Sequence, residues 1–114
     1  MAGQVAKELE SLFNEILQLA AIYNKDTEQK NKLLVIHNEL AHVFNEVTLA
    51  KNENDIDQAA DELDNCLYLI EGALKILSGE EKTKLTNIFE KIEKIKKELE
   101  ETKQQFSIGV PLTY

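Results

Sequence analysis

Arginine and tryptophan are absent from this chain. Cysteine and proline occur once each and glycine four times. Each shortage excludes something. Without arginine there is no fork-shaped donor for phosphate or carboxylate, and no arginine finger. The 13 basic residues are all lysine and leave a net charge of −8. Direct nucleic-acid binding, which draws its affinity from cationic side chains on phosphates, is not expected. One cysteine, Cys66, allows neither an internal disulfide nor a cysteine zinc motif. The only proline, Pro111, lies near the end. A chain with so few breakers before that point reads as helical. No apolar run approaches the ~18 residues of a membrane span, and no charged-then-apolar leader opens the chain. The expectation is a soluble cytoplasmic protein with no membrane association. Its lysine-, asparagine- and isoleucine-rich, arginine-free composition suggests a low-GC bacterium or its phage.

The chain has 114 residues, 43% apolar and 30% charged, a balance that suits one compact domain. Apolar residues recur at alternating steps of three and four in four segments. Val5, Leu9, Leu12, Ile16, Leu19 and Tyr23 form the first; Leu33, Ile36, Leu40, Val43, Val47 and Ala50 the second. Ile56, Ala59, Leu63, Cys66, Ile70, Ala73 and Leu77 form the third; Leu85, Ile88, Ile92, Ile95, Leu99, Thr102 and Phe106 the fourth. This is the seam of packed helices. Flanking Phe13, Leu17, Leu34, Phe44, Leu67, Leu74 and Phe89 widen it to a bundle face. The spacing predicts helices over about 4–23, 27–50, 54–77 and 79–106. Asp26 is the expected cap of the second, Asn52 or Asn54 of the third, and Ser78 with Glu81 the capping box of the fourth. Short connections make neighbours antiparallel. The fold class is therefore all-α, an antiparallel up-down-up-down four-helix bundle in one domain, 1–106. The rival is a pair of hairpins that dimerise. Residues 107–114, with Ile108, Val110, Leu112 and Tyr114, form a short non-helical apolar tail, expected to fold back on the bundle or to add to a partner.

Acidic charge is concentrated in residues 52–79, where Glu53, Asp55, Asp57, Asp61, Glu62, Asp64 and Glu71 face Lys75 alone. Asp55 and Asp57 oppose the helix macrodipole favourably near its N-terminus. Asp61 and Asp64 lie beyond the first turn and gain little from it. Positions 53, 57, 61 and 64 form one stripe, which Tyr68 continues with an aromatic. Like charges four residues apart repel, so folding supplies no reason for Asp61 and Asp64 to be acidic. It reads either as a plain solvated helix face or as a docking surface for a partner with a basic patch, with Phe106 and Tyr114 as further anchors.

Other chemistry is sparse. His37 and His42 are five apart, about 140° around a helix, and so are no ligand pair on one face. Each reads as a boundary residue, and Cys66 as a small buried hydrophobe. Gly72 interrupts the third helix, where it can admit a close approach. There is no His-Glu-x-x-His, phosphate loop or nucleophile elbow. Paired carboxylates from facing helices could hold Mg²⁺ or Mn²⁺. Glu39, His42 and Glu46 on the second helix could face the acids of the third.

The stretches NELAH, 38–42, and DELDNCLYLI, 61–70, resemble the all-α nucleotide pyrophosphohydrolases of the MazG type. Those carry Glu-Glu-x-x-Glu on one helix and Glu-x-x-Asp on the next. Glu39 and Glu62 match. Asn38 and His42 stand where the family has Glu, and Asn65 where it has Asp. The resemblance covers about a third of the chain. It implies Mg²⁺-dependent triphosphate hydrolysis at Glu39, His42, Glu62 and Asn65, or a degenerate descendant that has lost it.

The expectation drawn from the residues is a small acidic protein-binding module without catalytic residues or cofactor: an adaptor, inhibitor or immunity-type regulator. The alternatives are the Mg²⁺-dependent hydrolase and a self-associating bundle, for instance a homodimer.

Overall fold

The computed structural model describes residues 2–107, with side chains described for 3–103. The side chain of Phe106 and all of residues 108–114, Tyr114 included, lie outside it. The chain forms four helices: α1 (Ala2–Ala20), α2 (Glu28–Leu49), α3 (Glu53–Leu74) and α4 (Gly79–Ser107). There is no strand among the described residues.

Each helix packs on two neighbours, α1 on α2 and α4, and α3 on α2 and α4. The contacts count up one helix as they count down the next. Lys30 meets Ala20 and His37 meets Phe13 between α1 and α2. Asp57 meets Lys103 and Asp64 meets Lys96 between α3 and α4. His42 meets Glu62 between α2 and α3, and Glu15 meets Lys91 between α1 and α4. The result is a four-helix bundle measuring 48 × 19 × 18 Å.

The heptad positions make the core. Val5, Leu9 and Ile16 of α1, Leu33, Ile36 and Leu40 of α2, Ile56, Leu63 and Ile70 of α3, and Leu85, Ile92 and Leu99 of α4 are all sealed from water. Each such side chain contributes about 1.5–3 kcal/mol on burial, so this seam carries the fold. Thr102 continues it as a polar member, and its hydroxyl donates to the Glu98 carbonyl. Tyr23, expected on the seam, is only partly buried, because α1 ends at Ala20 in a tight turn.

One helix start differs from expectation. Thr27, not Asp26, caps α2, its hydroxyl accepting from the Lys30 N–H. Asp26 takes the left-handed conformation at φ 68°, which a short polar side chain tolerates, and this delivers Thr27 to the cap. At α4, Gly79 turns the chain at φ 60°. The Ser78 carbonyl accepts the first helical bond, from the Lys82 N–H. Asn52 caps α3 by accepting from the Asp55 N–H, and Asp55 accepts from the Lys51 N–H. Asp55 is thus acidic for a local reason. No helix among the described residues is long and apolar enough to cross a membrane.

Candidate functional site

Helix α3 carries both candidate surfaces, one on each flank, with a third face pointing outward between them. On the α4 flank lie the stripe acids. Lys103 of α4 sits 2.8 Å from Asp57 and 3.8 Å from Glu53. Lys96, one heptad earlier, pairs with Asp64 at 2.5 Å. The hydrogen bond to Asp64, more than any other influence, raises the Lys96 ammonium above its ordinary pKa. The expectation that folding gives Asp64 no partner is therefore overturned. Lysines spaced by seven on α4 meet aspartates spaced by seven on α3. These groups remain substantially exposed, so water screens each pair and its contribution is small.

Asp61 is different. It is exposed, and among the described residues it takes part in no ion pair or hydrogen bond. Tyr68, one heptad further on, is 73% exposed, while Phe13, Tyr23, Phe44 and Phe89 all pack against the core. A further heptad brings the exposed Lys75, also unpaired among the described residues. Gly72 lies beside Tyr68, and nothing stands within 4 Å of where its Cβ would be. Of the stripe expected to dock a partner, Glu53, Asp57 and Asp64 answer to α4, and Asp61 with Tyr68 faces solvent.

On the α2 flank no lysine pairs with an acid of α3 among the described residues. His42 Nε2 lies 3.2 Å from Glu62 and 3.6 Å from Glu46. One ligand-type atom from each of the three falls within 4.8 Å of the others, the spacing of a cation site. Glu46 Oε1 and Glu62 Oε2 are buried without a hydrogen-bond partner. The set differs from the one the resemblance implies: Glu46 takes part, Glu39 is not among the three, and Asn65 is exposed. Cys66 lies behind the cluster, fully buried. Burial, then the charges of Glu39 and Glu62, push its thiol up to about 12, so it is no nucleophile at neutral pH.

His37 serves packing. Its Nδ1–H donates to the Phe13 carbonyl at 2.8 Å, and its ring meets the edge of Phe13 with centroids 5.5 Å apart. A second crowding of acids occurs between α1 and α4, where burial, then Glu8, raises the Glu98 carboxyl above its ordinary pKa.

Comparison with protein-family models, with curated proteins and with solved structures gives no match.

Proposed function

We propose that this chain works by binding another protein, as an adaptor, inhibitor or immunity-type regulator, through the outer face of α3. The observation that supports this reading is Tyr68. A tyrosine 73% exposed at the middle of a helix contributes nothing to the core. Large aromatics with a polar tip are the residues that dominate binding hot spots. The partner need not be strongly basic, because α4 already neutralises much of the stripe through Lys96 and Lys103. What the face offers is an acid, an aromatic and a base in line: Asp61, Tyr68 and Lys75. A catalytic role has little to rest on, with the Cys66 thiol sealed and held near 12 and His37 committed to Phe13. A cytoplasmic, bacterial or phage setting belongs to the same proposal and rests on composition.

The test is affinity capture from the source cells with Tyr68→Ala beside the unaltered chain. Both substitution and side chain are exposed, so the fold is retained. Loss of a captured protein in the variant is the expected result. The same captured set from both would sink the reading.

A second reading is favoured by the two buried, unpartnered carboxylate oxygens at His42, Glu46 and Glu62. Three oxygen and nitrogen ligands at this spacing would suit a divalent cation such as Mn²⁺ or Mg²⁺. A calorimetric titration with Mn²⁺ should then show heat that Glu62→Gln abolishes. Absence of heat at millimolar Mn²⁺ removes this reading, and with it the metal-dependent hydrolase.

A further inference from the structure

The line Asp61, Tyr68, Lys75 has a property that its separate members lack: it complements itself. The residues are seven apart, and Lys75, the C-cap just past α3, keeps the helical conformation at φ −69° and ψ −22°, so the three share one face with Tyr68 at the centre. Turn a second α3 antiparallel about a two-fold axis through Tyr68. Position 61 of each helix then stands opposite position 75 of the other, since both are one heptad from the centre. An acid meets a base at both ends, and tyrosine meets tyrosine between them. Isologous contacts of this kind require a patch that matches its own rotated image. Gly72 adds room, because the backbone beside Tyr68 carries no Cβ and the space over it is open. Asp64, at the edge of the same face, keeps Lys96 as its counter-charge.

We propose that the occupant of the α3 outer face is a second copy of this chain, the two α3 helices antiparallel, Tyr68 packed on Tyr68 and Asp61 of each copy paired with Lys75 of the other. This rests on the reading of that face as a protein-binding surface and names the protein. One exposed helix face per copy is a small contact, so the dimer is a weak, exchanging one. Its charge pairs are exposed and salt reduces them.

Sedimentation equilibrium of the full chain over a concentration series at low salt tests this. The unaltered chain should show a monomer–dimer equilibrium. Asp61→Lys and Lys75→Asp alone each place like charges opposite one another twice, and each should weaken the dimer by about tenfold. The double variant Asp61→Lys/Lys75→Asp exchanges the signs and should recover the original equilibrium. Mixing the two single variants should also recover it, as a heterodimer, because at positions 61 and 75 one then carries lysine twice and the other aspartate twice. Circular dichroism of each variant keeps loss of fold distinct from loss of contact. A chain monomeric at every concentration, or a dimer indifferent to these exchanges, overturns the inference. In that event, capture of a different protein that depends on Tyr68 would leave the binding face standing with another occupant. Loss of both would remove the face as well.

Discussion

The two flanks of α3 meet their neighbours by opposite rules. Towards α4 the acids are matched: Asp57 has Lys103 and Asp64 has Lys96. Towards α2, Glu46 and Glu62 converge on a single histidine, with Glu39 close enough to act on the thiol behind them. Both flanks lie over the same apolar seam, and the seam supplies the binding energy of the bundle. Electrostatics is left free to differ. Charge can be arranged to fix the register of α3 against α4, and concentrated against α2, without deciding whether the chain folds.

The largest expected effect is the one that ignores the difference. Leu63 is fully buried at the base of both flanks. Leu63→Ala should cost about 2–5 kcal/mol in denaturant unfolding. It should do so equally at low and high salt. A loss below about 1 kcal/mol would mean that the charges, not the seam, hold α3 in place.

Next in size is an alkaline effect specific to the α2 flank. The folded-state thiol of Cys66 is raised to about 12, above its unfolded value near 9. Above the lower value the unfolded chain gives up this proton while the folded chain keeps it. Stability should therefore fall as pH rises from about 9 to about 12, by about 1.4 kcal/mol per unit at most. Lys96 acts in the same direction: its raised pKa contributes stability below the ordinary lysine range that is lost as pH rises through the folded value. Cys66→Ala separates them. It should lower stability at neutral pH through the cavity yet flatten the slope above pH 9. An unchanged slope would place the alkaline loss on the α4 flank instead.

The fold was legible because one kind of information, the three-four step of apolar residues, is both local and sufficient to place each helix's buried face. Every position from Val5 to Leu19 and from Leu85 to Thr102 on that step is buried. The charge pairs are harder, for a reason that can be located. The seven-residue spacings of Asp57 and Asp64 and of Lys96 and Lys103 are both in the sequence. Whether they meet depends on the register of α3 against α4, which the turn at Lys75–Gly79 sets. The sequence of α3 by itself therefore shows no partner for Asp64. The α2 cluster was legible in part. Helix facing points to Glu39, His42 and Glu46, and the resemblance adds Glu62 and Asn65; His42, Glu46 and Glu62 come together, while Glu39 is not among them and Asn65 is exposed. Asp61 and Tyr68 stood out by sequence and remain the solvent-facing part of the stripe.

The α4 flank gives a smaller, salt-sensitive prediction. Asp64→Asn removes the negative charge opposite Lys96 while keeping an oxygen that can accept, at a site where both side chains are partly exposed. It should lower stability by under about 1 kcal/mol, and by less at high salt. A loss that persists undiminished in 1 M salt would show that the bond acts by geometry rather than by charge.

The smallest effect carries the opposite sign and bears most directly on the contrast. Glu46 and Glu62 stand close together with one histidine between them, and an oxygen of each is buried without a donor. Removing one negative charge there relieves repulsion, and an amide can donate to the carboxylate that remains. Glu46→Gln should therefore leave stability unchanged or raise it by a few tenths of a kcal/mol at low salt, where the isosteric change on the α4 flank lowers it. Salt should shrink both differences towards zero from opposite sides, since each is a charge effect. If Glu46→Gln instead destabilises as Asp64→Asn does, the His42 contact outweighs the crowding. The two flanks of α3 would then be matched alike, and the cluster would have no charge left over for a cation to satisfy.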